Sequence, residues 1–527
     1  MPPVKSASFL DLPQELHDMI FGYLKLRNLA RLALASKACY KSVNPSIWRN
    51  VAGINTLLEL MPVDVWNGMK VEDYGKLDDL PLDRLPLTVD HWKPVYKLSS
   101  LIKNFWLHDI PCTVLRRVID CPPAATLLPS LRRLRIFLDY TQRQRLFTGS
   151  RQSSLYLDYI KLFKATIPSD LQELDLWNSL ALGDILDHCT QISRLSIMEF
   201  RDGPAFYSLH EHARDSLLQC LPRCQQLTEV TLVLPFPRHS KVLEILATFP
   251  NLSSVHVSFT FSTQMPWSGG PPRYPRHAFP ALSRLVLEYV TLEDAKDVIE
   301  TGKDRALGKL AVRTLGRETP ETLHTLVTAL ERHCNTDHLL AVDFVRWGCD
   351  ASDLGEPQPV LFDHVAPLAN FPHVEVARFR AFRGVRIAEE QWEHWAKSWP
   401  KLRRYSWRTV NVDAAAHPSC SLATLSSFAK FCPNIEEMRL QIDASTIPPS
   451  PSLPPRETLA NRRVAITFAA PCEISCAEDV VEFLRQTFGD VTVHLGYQDR
   501  GMTTGNQELC RRECQWELVR ALTSGKR

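Results

Sequence analysis

The amino-acid sequence predicts an α/β chain. Three short helices open it, and a curved solenoid follows, with parallel strands on the concave face and helices on the convex face. Three observations carry this reading. The chain has 527 residues, more than one hydrophobic core organises, so several domains or an elongated repeat array is required. Helix-start signals crowd into residues 8–51. Beyond them, apolar residues at n, n+3 and n+5 recur, and such a unit hides its apolar face only by stacking on its neighbours.

The N-terminal helices read as follows. Pro13 fits a first helical turn, where its missing N–H costs nothing, and Leu12, Leu16, Ile20 and Leu24 then fall on one stripe. Asn28 reads as the cap of a second helix bearing Leu29, Leu32 and Ala33. Asn44-Pro45 reads as a third start, with Ile47 and Trp48 on the inner side of a short final turn. Helices this small bury too little surface to stand alone, so the segment is expected to dock against something.

In order and spacing, Leu12-Pro13, Glu15-Leu16, Ile20, Tyr23-Leu24, Leu29, Leu32-Ala33-Leu34 and Trp48-Arg49 resemble the F-box pattern. The resemblance covers residues 8–51 and implies binding to a Skp-type adaptor, and through it to a cullin scaffold carrying a ubiquitin-conjugating enzyme. It further implies that Leu12, Pro13, Leu16, Ile20, Leu24, Leu29, Leu32 and Trp48 make or support the adaptor interface. Ala35-Ser36 and Tyr40 depart from the family's usual Val-Cys pair and Trp. The plainer alternative is a cap on the downstream domain.

The repeat opens with Ile102-Phe105-Leu107. It continues through Leu131-Leu134-Ile136, Leu171-Leu174-Leu176, Ile192-Leu195-Ile197, Leu227-Val230-Leu232, Leu252-Val255-Val257, Leu282-Leu285-Leu287 and, more weakly, Leu307-Leu310-Val312. Further units begin at Leu339, Val374, Leu402 and Ile435, and degenerate ones surround Val464-Ile466 and Val491-Val493. This spacing resembles the leucine-rich repeat, whose L-x-L portion is a short strand and whose connecting segment is a helix. Three residues before the first anchor stands a bulky or sulfur-bearing residue: Leu128, Cys189, Cys224, Phe249, Phe279, Phe371, Trp399 or Cys432. Pro often follows it and is expected to end the helix before the strand.

The expected domains are the F-box at 8–51, a helical linker region at 52–100 and a target-binding solenoid at 101–527, with loop insertions at 141–154, 262–278 and 445–457. Residues 86–107 and the segment before them resemble the layout of F-box proteins from mushroom-forming fungi. The last insertion contains Pro451-x-x-Pro454-x-Arg456, a pattern SH3 domains bind, although a stiff spacer between two repeats is the favoured reading. Trp267 and Tyr274 of the middle insertion either meet a target or pin their loop.

Side chains alternate along a strand, so n+2, n+4 and n+6 face the concave wall. There Arg378 and Arg380, Arg404 and Arg408, and Arg439 fall on successive strands and are expected to form one basic patch for an acidic or phosphorylated target segment. Arg133 and Arg135, with Asp175 and Trp177 on the next strand, are their N-terminal counterparts, and Trp177 joins the target-binding set.

Other chemistry finds little support. His210, His212, Cys220 and Cys224 are zinc-ligand types, but Cys224 fills a slot that elsewhere takes Phe or Trp and reads as packing. Cys472 with Cys476, and Cys510 with Cys514, are read the same way. No phosphate loop, H-E-x-x-H helix or G-x-S-x-G elbow occurs, so a non-catalytic chain with no cofactor and no metal is expected. Lys plus Arg total 61 against 59 for Asp plus Glu, which gives no global field for nucleic acid or membrane. No apolar run reaches membrane length and no signal peptide is evident, so a cytoplasmic or nuclear location with reduced cysteines is expected. The function so predicted is substrate recruitment in a Skp/cullin/F-box ubiquitin ligase. The rival reading is a repeat scaffold without ligase association.

Overall fold

The structure, a computed structural model, describes residues 9, 12–62, 65, 87–108, 112–137, 160–177, 185–198, 207–234, 240–259, 272–275, 277–314, 318–346, 359–380, 385–408, 420–449, 463–468, 472–496 and 507–524. The chain divides into two compact units, Met1–Phe236 and Pro237–Arg527. The insertion at 141–154 lies outside the described residues, as do Trp267 and the Pro451 to Arg456 motif.

The first unit opens with α1 (Gln14–Gly22), α2 (Leu26–Ala35) and α3 (Lys37–Trp48). Three helices are therefore present, but their starts differ from the sequence reading. Pro13 immediately precedes α1, and Lys25, not Asn28, precedes α2 without a side-chain cap. α3 starts early because the Ser36 hydroxyl accepts the Cys39 amide at 3.0 Å, which satisfies an otherwise orphaned helical donor. Pro45 consequently lies inside α3. Phe21, Leu29, Ala33 and Val43 form the shared core, with Leu24, Leu32 and Ile47 packed against it.

α3 runs directly into a strand, Asn50–Ala52, that pairs in parallel with Asn104–Leu107. The sheet thus begins well before residue 101, where the repeat was expected to open. Parallel strands follow at Arg133–Phe137, Glu173–Trp177, Arg194–Met198 and Glu229–Val233. The segment between the first two strands holds helices Asn55–Leu58 and Lys93–Ser99. Trp92 anchors it: the ring is fully buried and its Nε1 donates to Cys121 O at 3.0 Å.

The second unit repeats the pattern with parallel strands Ser254–Ser258, Arg284–Glu288, Lys309–Thr314, Ala341–Arg346, Val376–Arg380, Arg404–Arg408, Glu437–Leu440, Arg463–Phe468 and Asp490–Leu495. Every predicted anchor stands on its strand or just before it, including the weak Leu307 unit and the two degenerate ones, and all are buried. Because the period is two and the strands are in register, anchors form continuous apolar rows, for example Val255, Leu285, Leu310, Val342, Ala377 and Tyr405. Short two-residue strands, such as Val360–Leu361 with Val385–Arg386, were not foreseen.

Helices cover the anchor face. Helix Glu389–Ser398 lays Trp395 edge-on to Trp407 at 6.3 Å and against Phe379 at 6.0 Å, and Trp392 edge-on to Tyr405 at 6.0 Å. Each of the bulky or sulfur-bearing residues singled out three places before an anchor, Leu128 to Cys432, is buried, cysteines included. Its role is more specific than ending a helix. Its carbonyl accepts the anchor's amide, Leu128 from Leu131 at 3.1 Å, Trp399 from Leu402 at 3.0 Å and Cys432 from Ile435 at 3.2 Å. Pro129, Pro400 and Pro433 therefore occupy the second position of a tight turn, whose backbone angle proline presets.

Among the described residues no group of three or more His, Cys, Asp or Glu is placed to hold a metal ion. Cys220 and Cys224 are buried, and the His210 and His212 side chains lie outside the described residues. Burial pushes the Cys189 and Cys224 thiols up to about 12. Cys472 is buried as expected, but Cys510 and Cys514 are exposed. Helix Gln507–Thr523 turns Trp516 and Val519 inward instead, with the Trp516 ring tilted against Phe468 at 4.0 Å. Tyr274 packs on Phe279 at 6.2 Å. No helix of the described residues is long and apolar enough to cross a membrane.

Candidate functional site

The first candidate surface is on the N-terminal helices. α1 is apolar on two sides. One side carries His17 and Phe21 into the core, where His17 Nε2 donates to Phe9 O at 2.9 Å and its ring stacks on Phe21 at 5.4 Å. The other side carries Leu16, Met19, Ile20 and Tyr23, all exposed, Tyr23 to 88%. Leu34 on α2 is exposed to 86%, and Leu26 and Tyr40 are exposed as well.

The residues singled out from the pattern thus separate. Leu16, Ile20 and Pro13 are exposed, whereas Leu12, Leu24, Leu32 and Trp48 are half-buried. Leu29 is in the core and supports the surface from beneath. Met19, Tyr23, Leu26 and Leu34 were missed as surface residues. The signal was available for α1, since positions 16, 19, 20 and 23 follow helical spacing beside the buried 17 and 21. Exposed apolar groups clustered on one short segment mark an interaction surface.

The second candidate surface is the sheet face opposite the anchors, and it differs between units. In the first unit it carries Arg133, Arg135 and Arg194 against Glu173, Asp175 and Glu229. These charges are closed on one another. Asp175 is almost fully buried and accepts from Arg133 Nη2 at 3.0 Å and Arg135 Nε at 2.7 Å. Arg194 lies 2.7 Å from Glu229 and 3.7 Å from Glu173. Arg135 also lies over the Trp106 ring at 5.5 Å, a cation–π contact. Trp177 is half-buried, in register with Phe137 and Met198. It belongs to the first unit, and the arginines predicted alongside it belong to the second.

In the second unit the facing positions hold nine cations and four carboxylates. The cations are Arg284, Lys309, Arg313, Arg378, Arg380, Arg404, Arg408, Arg439 and Arg463, and the carboxylates are Glu288, Asp343, Glu437 and Asp490. The predicted arginines are brought to one sheet but are not equally available. Arg380 is 3.2 Å from Asp343, and Arg404 is 3.9 Å from Glu436. Arg439 packs where a side chain on Gly496 would come within 2.8 Å of its Nη2. Arg408 and Arg439 each have a bonding or electrostatic partner. Arg378 alone of the predicted five has neither a hydrogen bond nor an ion pair among the described residues.

Reading the sequence missed the neighbours that complete the cluster. Arg284 and Lys309 are direct register partners, and neither has an ion pair among the described residues. Burial lowers the Lys309 ammonium below its ordinary value, and the charges of Arg284, Arg378 and Arg313 press it further down, against the pull of Asp343. Arg313 is the compensated member, 2.6 Å from Glu288. Burial pushes the Glu288 carboxyl up, but His256, Arg313 and Ser258 outweigh that and hold it below the ordinary range.

Comparison with known proteins finds a match to the F-box-like family over residues 9–52. No curated protein matches the chain in sequence. Among solved structures, an internalin from Listeria monocytogenes is similar over 81% of this chain and 98% of its own, at 11% identity and a TM-score of 0.34. The yeast Rad7 and Elc1 complex contains a chain similar over 86% of this one and 99% of its own, at 11% identity and a TM-score of 0.31.

Proposed function

We propose that this chain, F-box-like over residues 9–52 and built of parallel strand–helix repeats thereafter, recruits substrates to a Skp, cullin and F-box type ubiquitin ligase. The observation that carries the proposal is the second apolar side of α1. Leu16, Met19, Ile20 and Tyr23 have no place in the chain's own core, yet they stand on the segment that matches the F-box-like family. A Skp-type adaptor bound there joins the chain to a cullin, and the sheet faces hold a target protein. The chain itself performs no bond chemistry. It supplies proximity, raising the local concentration of target lysines near a conjugating enzyme on another subunit. Such a receptor acts in the cytoplasm or nucleus.

Co-purification tests the proposal. The parent chain is expected to retain a stoichiometric Skp adaptor, and Leu16→Asp with Ile20→Asp is expected to lose it. A folded chain that captures no adaptor would instead favour a repeat scaffold outside any ligase.

A further inference from the structure

Rows of facing residues run across the second unit's strands, perpendicular to them. One row contains Arg284, Lys309, Ala341 and Val376, the next Val286, Ala311, Asp343 and Arg378, and the third Glu288, Arg313, Val345 and Arg380. The middle row has a low apolar floor, because Val286 and Ala311 are short and buried. Cations flank that floor. Arg284 and Lys309 stand on one side, Arg313 on the other, and Arg378 closes the far end beyond Asp343.

Like charges opposite each other on a sheet destabilise it, so the register pair Arg284 and Lys309 is a standing cost to the fold. In the first unit this chain balances the same positions with carboxylates. From Arg284 to Arg378 is three strand spacings, about 14 Å. That span exceeds what one phosphate group bridges. It matches carboxylates distributed along an extended chain, which rises about 3.3 Å per residue.

We propose that the open sheet face of the second unit, at Arg284, Lys309 and Arg378, binds an extended, carboxylate-rich peptide segment of a target protein. The proposal rests on the reading above that the sheet faces, not the helices, hold the target. The positive potential steers the segment to the face, and desolvated guanidinium and ammonium groups hold its carboxylates by charge-assisted bonds.

The test is fluorescence anisotropy on the full chain with a labelled Glu-rich peptide, a Gln-rich peptide of equal length, and a single-stranded RNA of equal charge. Saturable binding of the Glu-rich peptide is expected, with none of the Gln-rich one. Combining Arg284→Gln, Lys309→Gln and Arg378→Gln should weaken binding roughly tenfold or more, whereas Arg133→Gln with Arg194→Gln should change it less than about twofold. If the triple variant melts early, Lys309→Gln alone is read, with a loss of about threefold expected. Parent-like affinity in the variants, or tighter binding of the RNA than of the peptide, overturns the proposal. The Leu16→Asp, Ile20→Asp chain separates the two readings, because it should lose the adaptor and keep the peptide.

Discussion

Arg284 and Lys309 face each other on adjacent parallel strands, two cations in register, and neither forms an ion pair among the described residues. An array that neutralises Arg133 and Arg135 with one buried Asp175 is capable of compensating such a pair. The contrast places the uncompensated charge where a ligand can complete it.

Removing that repulsion should make the fold more stable. Lys309→Gln is expected to raise stability by about 0.2–1 kcal/mol in urea titration at low salt. Salt screens the repulsion, so the gain should shrink in molar sodium chloride. A loss of stability at low salt would mean that Lys309 has a favourable role in the free chain.

The two sides of α1 should respond oppositely to substitution. Leu16→Asp and Ile20→Asp change exposed positions and should leave stability within about 0.5 kcal/mol, while costing adaptor binding about 2 kcal/mol or more. Phe21→Ala, one helical step away but 2% exposed, should cost about 3–5 kcal/mol of the local fold. Circular dichroism melts beside adaptor pull-down distinguish the two effects.

Thiol chemistry should sort the cysteines by depth. In native chain at mildly alkaline pH, iodoacetamide is expected to label Cys510 and Cys514, which are exposed, and to spare Cys189, Cys224, Cys334 and Cys472 until denaturant is added. Burial pushes those four thiols up to about 12. A folded-state value raised above the unfolded one, about 8.5, contributes stability that is fully present below that pH. It is lost as pH rises from there toward the folded value, because the unfolded thiols then ionise first. A urea midpoint that falls steadily above about pH 8.5 is the expected result.

Two buried tryptophans should differ when replaced by Phe. Trp399 Nε1 donates to Leu368 O at 3.1 Å, whereas Trp407 Nε1 is buried without an acceptor among the described residues. Trp399→Phe should therefore cost about 1 kcal/mol more than Trp407→Phe, the worth of one net hydrogen bond. Equal midpoints for the two variants in chemical denaturation would contradict this.

The strand registers were legible because burial on one sheet face imposes a strict alternation, and a slip of one residue would turn every anchor outward. Even Val464 and Val491 obeyed it, though Val or Ile, not Leu, fills the anchor positions that were read there. The start of α3 was misread because two local signals competed, and the Ser36 hydroxyl took the amide that decided it before Pro45 was reached. Asn50–Ala52 was missed because a strand that short carries no periodicity. Only its pairing with Asn104 and Trp106, distant in sequence, defines it.

The candidate sites divide along the same line. Apolar anchors, turn prolines and the F-box-like segment are written in the sequence, because each depends on spacing within one repeat or one helix. Which arginines are left uncompensated is not. Arg380 and Arg378 sit two positions apart on one strand, yet the first lies 3.2 Å from Asp343 and the second has no ion-pair partner among the described residues. That distinction arises between strands far apart in sequence, so it was settled only when the sheet assembled them.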